Sequence, residues 1–537
     1  MLTRANPVSG PLPDNGVTMF LAAAAPTPPS PPHTGGLLAL IPGTAGLLTV
    51  AALGIALLLV LIIKARLQPF VALLGVSIAV GLAAGLSVTE LFGTVQKSDV
   101  VSLIESGMGG ILGHVAIIIG LGTMLGAILE VSGGAEVLSS RLLALFGERR
   151  APLAMGLTGL VFGIPVFFDV GIFVLAPIVY AAAKLPQASP TGSDAGGTPT
   201  SRSMVLYAMP LLAGLSMTHA FLPPHPGPVA AAGLFRVDLG WLILMGAVCG
   251  LPAVLAAWGY AAWIGNRLFV PVPHEMAEAA AEARAAVDAE RTAAGGRHRE
   301  KPVSLATVLA VIGTPLALIL LATFSSVVPA PPPSTSTSSV QGGPPPLALS
   351  VIEFFGHPFV ALTIALLLAY YLLGIRRGWS RTSLEAVSTA SLKPVGNILL
   401  VVGAGGIFGA VLKGSGVATA LSDTFHDVGL PVIVLAYLLS LVLRVAQGSA
   451  TVAIVTTAGI VLPLVAGQGL SQARLALVIT AISAGSIFAS HVNDGGFWMV
   501  SKYFGISERD TLKSWTVLES VLSVVGFAMA GVVSLLV

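Results

Sequence analysis

Two histidines flank a proline-rich break in an otherwise apolar stretch. Residues 218–228 read Thr-His-Ala-Phe-Leu-Pro-Pro-His-Pro-Gly-Pro, so His219 precedes the prolines and His225 lies among them. Proline lacks an amide donor and clashes with the preceding turn, so four prolines in this stretch must end a helix. Broken backbone at membrane depth has to be buried in protein or to line a watery cavity. A broken helix with ionisable groups is the form expected of a transporter's binding site.

A carboxylate interrupts a second apolar stretch, Phe167-Phe168-Asp169-Val170-Gly171. Desolvation in an apolar environment favours the neutral form of an acid, so Asp169 is predicted to carry a proton or to bind a cation. The alternative is a structural acid paired with a nearby amide or arginine. Gly171, in the same stretch, is a candidate substrate-binding residue.

A lone arginine, Arg444, lies in an apolar segment just before a run of small polar residues. A guanidinium can bind a substrate carboxylate through two hydrogen bonds. The run that follows could expose backbone and hydroxyl groups to a sugar acid, and it supplies the candidates Gln447, Gly448, Ser449 and Thr451. The alternative is an arginine that extends from a helix end to the membrane surface.

The motif His491-Val492-Asn493-Asp494-Gly495-Gly496 ends another apolar segment with donors, acceptors and two flexible residues. We predict that His491 and Asp494 take part in proton coupling and that Asn493 binds substrate. The motif would then be the partner of the half-site at His219 and His225. The alternatives are a polar turn at the membrane surface for this motif and a merely structural cap of the bend for His225.

Composition restricts the class of protein. The chain has 537 residues, of which 55% are hydrophobic and only 9% are charged. Soluble domains carry roughly 25% charged residues, so a polytopic membrane protein is predicted. A net charge of +2 without a basic stripe gives no reason to expect a nucleic-acid partner. No metal-ligand spacing, phosphate-binding loop or nucleophile elbow appears, so no metal, cofactor or primary ATP-driven transport is predicted.

Shifts in composition divide the chain. A Pro/Ala-rich tail, expected to be disordered, covers residues 1–43. The first membrane half is predicted over 44–268 and the second over 304–537, joined by a charged cytoplasmic connector at 269–303. An uncharged Pro/Ser/Thr-rich linker at 329–350 is predicted to be external, because positive charge marks cytoplasmic loops.

The same rule constrains how the first half crosses the membrane. Arg150 and the basic cluster at 284–301 are both predicted to be cytoplasmic. Three plain spans between them would end on the wrong side, so one apolar segment must be re-entrant or split. The interruptions are predicted at Asp169 and at the proline-rich break.

An internal repeat relates the two halves. Residues 114–138 align without gaps to residues 397–421, including a shared Ser-Gly-x-Ala ending. The first copy runs toward Arg149 and Arg150, whereas the second starts from Arg376 and Arg377. The predicted fold is therefore an all-α polytopic membrane protein with two inverted-topology repeats and re-entrant or broken helices at the bilayer midplane.

At these motifs the sequence resembles the gluconate:proton symporter family, which includes gluconate, idonate and D-serine permeases. The matching stretches are IIIGLGTMLGAILEVSGGA (117–135), FFDVGIFVLAPIV (167–179), THAFLPPHPGPVAA (218–231), GSATVA (448–453) and SHVNDGGFWMVSKYFG (490–505). The resemblance implies proton-coupled uptake of a small polyhydroxy or amino carboxylate across the bacterial inner membrane. One departure is Asp169, where family members often carry glutamate, so the identity of the substrate stays open.

These observations predict a proton-coupled symporter that imports gluconate or a related hydroxy or sugar acid by alternating access. One alternative is a carrier of D-serine or another small carboxylate, with sodium as the coupling ion. A remote one is an intramembrane enzyme, which would need a one-sided active site. The expected partners are the carboxylate, protons and the lipid bilayer, and a homodimer would suit a design with a scaffold and a moving domain.

Overall fold

The structure is a computed structural model that describes residues 43–93, 102–183, 203–272, 303–327, 347–393, 395–417, 420, 431–466, 468–492 and 494–537. Every regular element in these ranges is helical. The helices of the first half are α1 (Thr44–Ile63), α2 (Pro69–Ala83), α3 (Val88–Phe92), α4 (Leu103–Val131), α5 (Gly134–Phe146), α6 (Ala151–Phe162), α7 (Phe168–Ala183), α8 (Met204–Phe221), α9 (Pro226–Phe235) and α10 (Leu239–Gly265). Those of the second half are α11 (Leu305–Val327), α12 (Leu347–Gly356), α13 (Pro358–Ala369), α14 (Arg381–Leu392), α15 (Val395–Gly414), α16 (Val432–Gln447), α17 (Ala450–Val465), α18 (Gln472–Ser486), α19 (Gly495–Tyr503), α20 (Glu508–Thr511) and α21 (Val517–Ser534).

Eight helical stretches within the described ranges are long and apolar enough to cross a membrane. One of them runs from Leu103 to Val131, and the glycines in its first turns do not end the helix. The last span begins at Glu508 and continues through a π-helical turn at Leu512–Thr516 into α21.

The predicted proline-rich break is confirmed. Helix α8 ends at Phe221 and α9 begins at Pro226, with His225 in the N-cap position. Proline is tolerated in the first turn of a helix, where its missing N–H has no intrahelical partner to lose. A second break separates α6 from α7, and Pro165 lies inside it.

Helices α6 and α7 form a hairpin that enters and leaves on one side of the molecule. Helix α6 runs parallel to α8, because a Cβ on Gly159 would meet Leu211 and one on Gly163 would meet Leu215. Helix α8 begins beside the end of α10, where Met204 N–H donates to the Val270 carbonyl at 2.8 Å.

Helix α7 ends on that same side. The Tyr180 hydroxyl donates to the Tyr503 carbonyl, and ten residues farther on the Lys513 carbonyl accepts from Tyr260 near the end of α10. The pair α6–α7 therefore supplies the re-entrant segment that the charge pattern required.

The second half repeats these breaks. Gly448, with φ +88°, ends α16, and Ser449 caps the start of α17 through Val452 N–H. Residues 487–494 separate α18 from α19, with Asp494 as the N-cap residue. A positive φ favours glycine because it has no Cβ, which explains Gly448 at this turn.

Contacts at the helix ends support the prediction that the halves run in opposite directions. Helix α8 begins at the end of α10, and α21 also begins there, at the Tyr260–Lys513 contact. Helix α18 instead begins at the far end of α21, where Arg474 Nε donates to the Val537 carbonyl at 3.0 Å. Helices α8 and α18, each of which ends at the second break of its half, thus start on opposite sides.

Several predicted boundaries shift or lie outside the described residues. Of the tail at 1–43 only Gly43 is described, and the connector is described only at 269–272 and at Val303. The linker predicted over 329–350 is described from Leu347, where α12 has already begun, so its final four residues are helical rather than linker. The apolar run that begins there can already form a helix turn.

The broken helices of one half pack on those of the other. A Cβ on Gly227, at the start of α9, would lie 3.6 Å from the Thr451 Cα at the start of α17. A Cβ on Gly496, at the start of α19, would lie 3.3 Å from the Phe168 ring at the start of α7. The N-termini of all four short helices are thereby brought into the molecular interior.

Candidate functional site

A cavity of about 450 Å³ lies where α7, α17 and α19 begin. This volume is within the range of small-molecule sites. Eight of the predicted site residues line it, namely Asp169, His219, Arg444, Gln447, Gly448, Ser449, Thr451 and Asp494. The sequence therefore identified most of the polar wall before the fold was known.

Arg444 is held at the cavity wall by two fixed partners. One terminal nitrogen, Nη2, pairs with Asp494 Oδ2 at 2.5 Å, and Nη1 donates to the Gly448 carbonyl. Arg444 is only 4% exposed, so the expected alternative of an arginine reaching the membrane surface is wrong. Its Nε atom has no hydrogen-bond partner among the described residues.

Asp494 belongs to a network that fixes the start of α19. Its Oδ1 accepts from Gly496 N–H at 3.0 Å, and its Oδ2 also accepts from the Ser490 hydroxyl. Ser490 in turn accepts from the Trp515 indole N–H at 2.8 Å. These partners fix the position of the Asp494 carboxyl group, which in turn positions Arg444.

Of the two histidines in the proline-rich motif, one lines the cavity and the other lies behind it. Their ring centroids are 4.9 Å apart. His219 faces the cavity, and its Nδ1 is buried without a hydrogen-bond partner within the described part of the chain. His225 lies behind it, where its Nε2 hydrogen bonds to the Gly163 carbonyl at 2.6 Å and links the two breaks of the first half. The capping alternative for His225 agrees with this position.

Asp169 lies at the start of α7 and is exposed to the cavity. The apolar residues around it predicted burial, and the structure places its side chain in the lining of the cavity. The helix break turns its side chain into open space while the neighbouring Phe168 packs on Trp515, with ring centroids 5.4 Å apart. Asp169 is thus the acid of this site that meets water in the described conformation.

Three predicted residues do not line the cavity within the described structure. Gly171 faces the Leu215 side chain, where it lets α7 approach α8. His491 is half-buried and its Nδ1 hydrogen bonds to the Ala489 carbonyl at 2.8 Å. His225 is the third. Asn493 lies outside the described residues.

A buried glutamate in the cavity wall was missed. Glu519, in the first turn of α21, is 1% exposed and borders the cavity. It shares a hydrogen bond with Ser216, and its Oε1 has no partner among the described residues. The sequence signal was a single carboxylate inside an apolar span, the same argument that identified Asp169.

The arrangement combines positive groups that can bind an anion with an apolar surface. The N-terminus of a helix carries about half a positive charge, and unpaired backbone N–H groups there bind carboxylates and phosphates. Three such ends and Arg444 meet at one cavity. Aromatic and thioether side chains, those of Phe167, Phe168, Trp515 and Met499, supply its apolar surface. No group of three or more His, Cys, Asp or Glu side chains in the described ranges could hold a metal ion.

Broken helices whose N-termini meet at an internal cavity, within an all-helical multi-pass protein, are the architecture of a membrane transporter. The family model for GntP family permeases matches residues 46–536. The chain therefore belongs to the GntP permease family.

Relatives of known name agree with this assignment. The inner membrane permease YgbN of Escherichia coli (strain K12) is 41% identical over 90% of this chain and 97% of its own length. The gluconate permease of Bacillus subtilis (strain 168) is 36% identical over 91% of this chain and its full length. The low-affinity gluconate transporter of Escherichia coli (strain K12) is 34% identical over 91% of this chain and 98% of its own length. The chain is a bacterial inner-membrane transporter and not an enzyme.

Two solved structures share the fold. MtrF of Neisseria gonorrhoeae, which is described among antimetabolite efflux pumps, superposes with a TM-score of 0.52 over 93% of this chain and 96% of its own. The YdaH transporter of Alcanivorax borkumensis, described as having an unusual topology, gives 0.52 over 90% and 97%. Both are 16% identical to this chain, so the likeness concerns the fold alone.

Proposed function

We propose that the protein imports gluconate or a related small hydroxy acid together with protons, by alternating access. The observation that carries this proposal is the meeting of three helix N-termini with Arg444 at one cavity. Relatives named for gluconate support the substrate class.

The carboxylate of the substrate would bind at the positive end of the cavity. The N-terminus of α17 lies there, together with the Arg444 Nε, which has no hydrogen-bond partner among the described residues. A carboxylate that accepts several hydrogen bonds from charged and backbone donors is bound strongly. Ser449, Thr451 and Gln447 lie beside these donors and would hold the hydroxyl groups.

Alternating access would move the cavity between the two sides of the membrane. Each half supplies short helices whose N-termini lie at the same interior point. A movement of one half against the other would therefore open the cavity to one side of the membrane and close it to the other. Asp169, which meets water in this conformation, would exchange a proton with the solution. His219 would donate to or accept from a substrate hydroxyl, because its Nδ1 is unoccupied within the described residues.

The proposal is tested by substrate-induced proton uptake in proteoliposomes. Gluconate, related sugar acids, D-serine and short hydroxy acids are added in turn to vesicles that hold a pH indicator. We expect acidification of the interior with a hydroxy or sugar acid. If no compound changes the internal pH, and vesicle flotation verifies reconstitution, the proposed substrate class is contradicted.

Sodium coupling is separated from proton coupling by replacing sodium with choline in the same vesicles. Uptake that is unchanged in choline and abolished by a protonophore supports proton coupling. Uptake that depends on sodium and generates no proton signal contradicts it.

A further inference from the structure

Among the acids of the described cavity lining, Glu519 is the one that forms no ion pair with a cation and lies at no helix N-terminus. Asp494 is paired with Arg444. Asp169 lies in the first turn of α7, where the helix dipole favours a negative charge. Glu519 lies in a helical stretch that is continuous from Glu508 to Ser534, so no helix N-terminus faces it.

The surroundings of Glu519 are neutral or already engaged. Helix α8 presents Ser216 and His219, and the π-helical turn before α21 presents Trp515. Arg444 interacts with Glu519 electrostatically, but its terminal nitrogens bind Asp494 and Gly448. Helices α10 and α18 also pack on α21, and their described residues add no charged side chain to the cavity.

With all three of its acids ionised, the cavity does not balance the charge of a bound anion. Its described lining holds three carboxyl groups and one guanidinium. The three helix ends add roughly half a positive charge each. A bound carboxylate would bring the negative charges to four against about two and a half positive, and an uncompensated buried charge is costly. Taking up a proton on the least compensated acid removes most of this excess.

Resting on the proposed function, we propose that Glu519 is a proton-binding site that is occupied when the carboxylate substrate binds. A proton from the cavity water adds to a carboxylate oxygen of Glu519, and the Ser216 hydroxyl keeps the carboxyl group oriented toward the cavity. Release of the proton on the other side restores the negative charge and expels the anion. Proton and anion are thereby coupled through charge at one site.

The test uses the full chain in proteoliposomes with gluconate and compares two transport modes. Gluconate counterflow at equal pH needs binding and movement but no net proton transfer, whereas accumulation driven by a proton gradient needs both. Glu519→Gln imitates the protonated acid, so we expect counterflow at the wild-type level and loss of accumulation. Glu519→Asp should restore part of the accumulation, because it returns an ionisable group.

Glu130→Gln is the matched control, since Glu130 is a partly buried carboxylate of α4 that does not line the cavity. It should keep both modes. Accumulation by Glu519→Gln at the wild-type level would overturn the inference. So would loss of both modes in a variant that unfolds at the wild-type temperature, because Glu519 would then be needed for binding.

Infrared difference spectra give a second readout that does not depend on transport. Addition of gluconate to the wild type should produce the carbonyl band of a newly protonated carboxylic acid, absent in Glu519→Gln and present in Glu130→Gln. A band that persists in Glu519→Gln would overturn the inference. Gluconate uptake by the wild type without proton movement would overturn proton coupling itself. That outcome is measured on the wild type alone, so it is distinguished from a failure of the Glu519 inference.

Discussion

At the scale of single residues, the ion pair between Arg444 and Asp494 determines the shape of the anion site. These residues lie fifty positions apart in the sequence. Removing one member of a buried pair leaves the other charge uncompensated, whereas removing both does not. Comparing a single variant with the double variant therefore tests whether the stability of the site depends on the charge balance between Arg444 and Asp494.

We predict that Arg444→Gln lowers the free energy of unfolding by about 3–5 kcal/mol, because Asp494 loses its cation. The double variant Arg444→Gln/Asp494→Asn should recover part of that loss. Thermal unfolding in detergent measures both. A double variant less stable than Arg444→Gln alone would show that Asp494 is stabilised by its hydroxyl and amide partners rather than by Arg444.

Asp169 yields a second prediction at this scale. Asp169→Asn keeps the shape of the side chain and removes its ability to exchange a proton with the cavity water. With a proton gradient applied, we expect gluconate to reach only equal concentrations inside and outside the vesicles. Gluconate counterflow should persist. If proton-driven accumulation is intact in this variant, Asp169 has no role in coupling.

At the scale of helices, the site depends on how closely α6 approaches α8. Gly159 faces the backbone of Leu211, and a Cβ there would lie 2.9 Å from the Leu211 carbonyl carbon. Small residues permit such approach between membrane helices. The approach matters for the site because Gly163 directly follows α6, and its carbonyl hydrogen bonds to His225.

We predict that Gly159→Ala destabilises the protein by about 1–3 kcal/mol, the usual cost of overpacking. Gly109→Ala in α4 is the matched control, since a Cβ there meets no atom within 4 Å. It should be neutral or slightly stabilising, because alanine favours the helix. Equal unfolding temperatures for the two variants would mean that α6 moves away from α8 without cost.

At the scale of the whole molecule, the opposed directions of the halves predict that the ends of α10 and α17 lie on opposite sides of the membrane. Asn266 follows α10, next to the basic connector, and Ala466 follows α17 at the end where α18 begins. Both are exposed. By the positive-inside rule we predict that Asn266 is cytoplasmic.

We predict that cysteine at 266 reacts with an impermeant maleimide only in inverted vesicles, and cysteine at 466 only in intact spheroplasts. Both variants are made in a Cys249→Ser background, and Cys249 is itself buried. Labelling is followed by gel shift. Reaction of both positions from one side would contradict the opposed directions.

The sequence predicted the broken helices well, because proline, glycine and isolated charges mark them directly. Pro223, Gly448 and Asp494 all lie at the interruptions where they were expected. What it did not predict depends on contacts between distant segments. The exposure of Asp169 follows from how Phe168 packs on Trp515, and the pairing of Arg444 follows from the approach of α16 to the α18–α19 loop. Glu519 was detectable by its isolation in an apolar span, but only the fold shows that it faces the cavity.

The way in which each half completes the broken helices of the other has an evolutionary consequence. Helix α9 begins against α17, and α19 begins against α7, so both junctions at the cavity are made of residues from both halves. Substrate preference is therefore encoded jointly, and a change on one side of a junction alters what is acceptable on the other. In a hybrid that joins the first half of one permease to the second half of another, the residues that meet at each junction would not be complementary. Such halves have to diversify together.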